Sequence, residues 1–77
     1  MASRQAREGI IYQGHGRASA AVYRRAIATL PDAADYEIRC AEGRWWVVYI
    51  SPWTAPDEII RRSALADVRA AVERVSR

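Results

Sequence analysis

The sequence predicts a small α+β domain. It is a two-layer sandwich in the order β-α-β-β-(β)-α, with a small, mainly antiparallel sheet and two helices on one face. Three observations carry that expectation. The chain has 77 residues, enough for one hydrophobic core and too few for two. The stretch Tyr36 to Ile50 is rich in strand formers and is broken once, at Glu42-Gly43, which is a hairpin signal. On either side of it, apolar residues recur at spacings of three and four, the period of a helix face.

Met1 to Glu8 is polar and is expected to be a frayed end, leaving 9–77 as the single domain. Gly9-Ile10-Ile11-Tyr12-Gln13 places β-branched and aromatic residues between turn formers, which predicts a short strand. Gly14-His15-Gly16 is expected to break the chain. A helix follows from about Ala18 or Ala20 to Leu30, with Ser19 as the candidate N-cap. Ala20, Tyr23, Ile27 and Leu30 share one of its faces, and Pro31 ends it.

In the hairpin, a two-residue loop at Glu42-Gly43 sets Cys40 opposite Trp45, Ile38 opposite Val47 and Tyr36 opposite Tyr49. Opposed residues of an antiparallel pair point to the same side. That side is wholly apolar and is assigned to the core. The other carries Glu37, Arg39, Trp46, Val48 and Ile50, with Arg39 across from Trp46 in range of a cation–π contact. The Trp45–Ile50 strand is the most hydrophobic and is expected at the sheet centre. A right-handed crossover sets the first strand parallel to the Tyr36 strand.

The segment after the Pro52–Pro56 loop has two readings. Thr54-Ala55-Pro56-Asp57 is a passable capping box for a helix. Ile59-Ile60 before Arg61-Arg62-Ser63 also resembles a short strand. The stripe Leu65, Val68, Val72, Val75 is cleaner if the helix begins near Ser63. We therefore expect a strand at about 58–62 and a helix at about 64–76.

Composition narrows the function classes. The chain is 51% hydrophobic and 27% charged, which fits a globular domain rather than a disordered one. No apolar run approaches membrane-spanning length, and the start lacks a signal-peptide core. With Cys40 the single cysteine, no internal disulfide framework is available. A cytoplasmic location in a bacterial or phage-infected cell is expected. The twelve basic residues are all arginine, and lysine, asparagine and phenylalanine are absent. That bias follows GC-rich coding as readily as selection for bidentate phosphate or carboxylate contacts. The net charge of +3 favours anionic partners.

Little here points to catalysis. Gly14-His15-Gly16 between a strand and a helix resembles the start of a phosphate-cradling loop, with His15, Gly16 and Arg17 as ligands. Asp35 lies 21 positions past Gly14, near the spacing of a ribose-binding acid. The alternative is a plain turn, since Ser19 holds the third glycine position. His15 and Cys40 sit on separate elements, too few for a zinc site, and Cys40 is expected to be a buried, inert thiol. No carboxylate pair suggests acid–base work. The expectation is no enzyme activity, no metal and no cofactor.

The aromatic residues carry more. Trp46 lies on the outer face and Trp53 at the tip of a proline-bracketed loop. Tryptophan and arginine dominate binding hot spots. Either Trp53 folds back over Trp46, Val48 and Ile50, or an apolar patch stays open for a partner. Tyr36 to Arg39, Gly43 to Ile50 and Ile59 to Val68 together resemble the three-strand-plus-helix layout of AP2-type and integrase-arm DNA-binding domains. That resemblance implies DNA contact by arginines and tryptophan on the open sheet face, here Arg39, Arg44 and Trp46. By size and architecture the chain is also similar to small phage-encoded inhibitors, including anti-CRISPR proteins. The expected function is therefore non-catalytic docking on a protein, as an inhibitor of a host complex, through Trp46, Trp53, Val48, Arg39, Arg44, Arg61 and Arg62. The alternatives are nucleic-acid binding by Arg39, Arg44, Arg61 and Arg62, and a homodimer through the open face.

Overall fold

Alternation along 36–50 leaves the hairpin one register that buries its apolar side, and the chain adopts it. A computed structural model describes residues 7–51 and 55–77. Strands β2 (Tyr36–Ala41) and β3 (Arg44–Ile50) pair antiparallel, with Tyr36 opposite Tyr49, Ile38 opposite Val47 and Cys40 opposite Trp45. Glu42 and Gly43 both have positive φ, 52° and 80°, as a tight two-residue hairpin loop requires. Trp45 and Val47 are 2% and 0% exposed, while Trp46 is half-buried.

Strand β1 (Glu8–His15) pairs antiparallel with β3, giving the order β1-β3-β2 with β3 central. β1 and β2 therefore run in the same direction on either side of it. The register shifts between Ile10 and Tyr12, so Ile11 and Tyr12 both stand against Val47. This bulge turns two consecutive large side chains toward the core. Gly14 and His15 do not break the chain; they are the last two residues of β1.

Helix α1 (Arg17–Ile27) and helix α2 (Glu58–Val75) pack on the sheet and on each other. Their buried positions are mostly alanine: Ala20 and Ala26 on α1, Ala64 and Ala71 on α2. Small side chains let the two backbones approach closely. Val68 fills the remaining space at 0% exposed, a burial worth about 1.5–3 kcal/mol. α1 stops at Ile27, three residues short of the expected end, and Leu30 packs against the core from the following turn.

Two helix starts differ from expectation. Gly16 at φ 84° is the N-cap of α1, with no side-chain cap. Ser19 lies inside the helix, and its hydroxyl donates to the carbonyls of His15 and Gly16 at 2.6 and 3.1 Å. At the second start, residues 58–62 are helix, not strand. Asp57 is the N-cap, accepting from the Ile60 N–H at 2.9 Å, and Glu58 meets Arg62 at 2.6 Å. A cap, an acidic first turn and an i,i+4 ion pair together outweigh the strand preference of two isoleucines. Ile59 is left 78% exposed, so its apolar character does not mark a buried strand.

Asp57→Ala should lower stability by about 1 kcal/mol through loss of the cap, read as a shifted urea midpoint. Gly14→Ala should cost more, about 2–3 kcal/mol, because its Cβ would overlap the six-membered ring of buried Trp45, with Cη2 at 2.7 Å. Gly43→Ala meets no atom within 4 Å and should show only the backbone cost of positive φ, about 1 kcal/mol. Equal melting temperatures for the two glycine variants would contradict the Trp45 contact.

Candidate functional site

The ends of the β2–β3 ribbon differ in charge, and chain order is the cause. At the turn end, β1 finishes at His15 opposite Arg44, and α1 begins two residues later at Arg17. The start of β3 and the start of α1 thus bring Arg44 and Arg17 to the same end of the domain. At the other end, the 3-10 turn Ala33–Asp35 leads into β2. Asp32 and Asp67 line a concavity there with Tyr36, Tyr49 and Ile59.

At the turn end a cleft of about 420 Å³ is bordered by Arg17, Arg24, Cys40, Glu42, Arg44 and Trp45. Arg24 Nη2 donates to Cys40 Sγ at 3.3 Å, and the Arg44 guanidinium lies 5.9 Å from the Trp46 ring centroid. These are weak partners: sulfur accepts poorly, and an exposed cation–π contact gives about 0.5–1 kcal/mol. Among the described residues, no carboxylate forms an ion pair with Arg17, Arg24 or Arg44. Trp45 closes one side of the cleft. Its Nε1–H is buried without a hydrogen-bond partner, beside the stacked rings of Tyr12 and Tyr23.

Cys40 is on the core-facing side of β2 as expected, but it is exposed rather than buried. Its position lies near the ribbon's end, where the last turn of α1 supplies Arg24 rather than an apolar cover. Of the loop residues expected to hold an anion, Gly16 and Arg17 border this cleft; His15 does not, and its strand position faces the outer side with Arg44.

The outer sheet face is largely neutralised. Arg39 does not stack on Trp46; it is held by both carboxylate oxygens of Glu8 at 3.0 and 2.8 Å and by Glu37 at 3.1 Å. Those hydrogen bonds raise the guanidinium pKa further above its ordinary value. The cation over Trp46 is Arg44 instead. Val48 presents no docking surface, being 1% exposed. Arg62 is paired with Glu58, and the Arg61 side chain lies along Gly9. Trp53 lies outside the described residues. The sequence offered no signal for Arg24 as a site residue; it appears only once α1 is laid across the hairpin.

Among the described residues no cluster of histidine, cysteine and carboxylates is placed to hold a metal, and no helix is long and apolar enough to cross a membrane. Compared with known protein families, curated proteins and solved structures, the chain matches none.

The acidic end has a measurable consequence. Burial, and then the charges of Asp32 and Asp67, push the Tyr36 hydroxyl well above 10.0; Tyr49 moves the same way through burial and Asp35. Tyr23 is raised by burial and by Tyr12. In the unfolded chain these groups ionise near 10, so above that pH the folded state holds protons the unfolded state has lost. The stabilisation is complete below about pH 10 and falls as pH rises toward the folded values. Each tyrosine removes at most about 1.4 kcal/mol per pH unit. Urea midpoints at about pH 9 and about pH 11 should show this slope, and Tyr36→Phe should flatten it.

Proposed function

We propose that this chain is a non-catalytic binding module that docks on the acidic surface of a protein partner through the turn end of its hairpin. The observation that carries the reading is the sorting of its arginines. Arg39 and Arg62 are spent on carboxylates of the same chain. Arg17, Arg24 and Arg44 lie at one end, where Arg24 contacts a thiol, Arg44 an indole, and none forms an ion pair with Glu42, which borders the same cleft. Half-buried Trp46 beneath Arg44 adds the aromatic anchor that protein interfaces favour. An inhibitor of a host complex, as the likeness to small phage-encoded proteins implies, needs such a surface and no active site.

A nucleic-acid role is less well supported. Phosphate-tracking surfaces need a row of free cations, and the outer sheet face has its central arginine clamped between two glutamates. The docking residues are thus Arg17, Arg24, Arg44 and Trp46: Arg44 and Trp46 come from the docking set that the sequence marked, Arg17 from the expected anion loop, and Arg24 is added by the structure.

A photo-crosslinker at position 46, used in cells that carry the native gene, should capture a protein that persists after nuclease treatment. Charge reversal at Arg24 and Arg44 together should reduce capture at least tenfold, and Arg74→Glu should not. Capture that disappears with nuclease would move the function to nucleic acid. In that case affinity for a duplex should fall by about 10³ or more between about 50 and 200 mM salt.

A further inference from the structure

We infer that the concavity at the acidic end is an arginine pocket, and that its occupant is a side chain from the basic turn end of a second copy of this chain. The inference goes beyond the docking reading, which uses the turn end alone.

Tyr36 is 8% exposed, and among the described residues no group hydrogen-bonds its hydroxyl. Trp45 Nε1 is the one described side-chain nitrogen or oxygen that is both fully enclosed and unpartnered. The Tyr36 oxygen, unpartnered as well, therefore reaches the surface. The surface it borders is a concavity of about 270 Å³ shared with Asp32, Tyr49, Ile59, Ser63 and Asp67. The charges of Asp32 and Asp67 act on the Tyr36 hydroxyl, which puts both carboxylates within electrostatic reach of that oxygen.

Every polar side chain on these walls accepts hydrogen bonds, and none is a cation. Among the described residues neither Asp32 nor Asp67 forms an ion pair. Arg74 borders a neighbouring concavity with both and pairs with neither. The complement to such walls is a cation rich in donors. A guanidinium carries its N–H groups in one plane and stacks on aromatic faces. The Tyr36 and Tyr49 rings stand 5.1 Å apart, tilted by 51°. The aliphatic stem of an arginine lies along apolar surface, which Ile59 supplies, 78% exposed. An ammonium is a compact point charge with no plane to stack.

The turn end of the same chain carries such cations. Arg44 lies on the outer side of the sheet and Arg17 and Arg24 on the helix side, and among the described residues none forms an ion pair. The whole chain carries +3, so two copies repel unless unlike ends face each other. At physiological salt, exposed charges more than about 8 Å apart are largely screened. The groups that meet at the contact therefore decide the encounter, and a basic end meeting an acidic end is the favourable one.

Sedimentation equilibrium of the full chain at about 20 mM salt should show concentration-dependent association, weakened at least about tenfold at about 300 mM. An acidic-end variant, Asp32→Asn with Asp67→Asn, and a basic-end variant, Arg17→Gln with Arg24→Gln and Arg44→Gln, should each lose at least about tenfold in association. An equimolar mixture of the two should recover a heterodimer, because one intact junction remains. Tyr36→Phe should weaken association at least about twofold, and Arg74→Gln should not weaken it. The basic-end variant keeps the pocket and cannot fill it, so in 15N-labelled form it serves to titrate a blocked arginine tripeptide. This probe should shift the amides of Asp32, Tyr36, Ser63 and Asp67 and saturate. The citrulline tripeptide, alike in shape but uncharged, should not. Equal binding of the citrulline or the lysine tripeptide would overturn the arginine assignment. A wild-type chain that stays monomeric at about 1 mM, or association retained by the acidic-end variant, would overturn the second copy as occupant. If the crosslink at position 46 still captures a protein while the chain stays monomeric, the docking reading stands and this inference falls.

Discussion

Most of this fold depends on one contact, the Trp45 indole over the bare backbone of Gly14. Trp45 stands on the central strand and faces the helices, so its ring must lie somewhere between sheet and α1. It takes the space that any Cβ on β1 would need at that point. Tyr12 and Tyr23 then close around it, stacked on each other at 5.1 Å with their planes 9° apart. Tyr12 reaches that position because the bulge turns it and Ile11 to the same side. The aromatic cluster, the bulge and the glycine are therefore parts of one packing solution. It leaves an indole N–H buried without a partner, a penalty of about 1–3 kcal/mol that the surrounding apolar burial offsets.

The same contact sets the charge geometry. With Gly14 held under Trp45, β1 ends beside the hairpin turn and α1 starts there. Arg17 and Arg24 are thereby delivered to the end of the ribbon that already carries Arg44. Chain continuity places Asp32 and Asp35 at the opposite end, where Asp67 joins them from α2. A basic end and an acidic end follow from topology, although neither is a block in the sequence. Net charge alone, +3 over the whole chain, conceals this separation.

The hairpin was legible because period-two alternation over 36–50 admits one register, and a slip by one would bury Arg39 and expose Trp45. The misread segment shows the limit of the same logic. Ile59-Ile60 has strand composition, but two residues cannot reveal a period. The deciding groups were Asp57, Glu58 and Arg62, which act through a cap and an ion pair rather than through hydrophobicity. Cys40 shows a third kind of limit. Its side of the strand was right, yet the side of a strand does not say how far a covering helix extends.

What this sequence determined alone was local: the strand pairing of the hairpin, the inward tryptophan, the helical stripes and the α+β class. Those depend on periodicity and turn chemistry, which are properties of neighbouring residues. The tertiary structure decided which polar groups meet. Glu8 and Arg39 are 31 positions apart and Arg24 and Cys40 are 16 apart, separations at which no sequence period operates. The candidate site belongs to that second category, because a cleft exists only where elements distant in the chain are brought side by side.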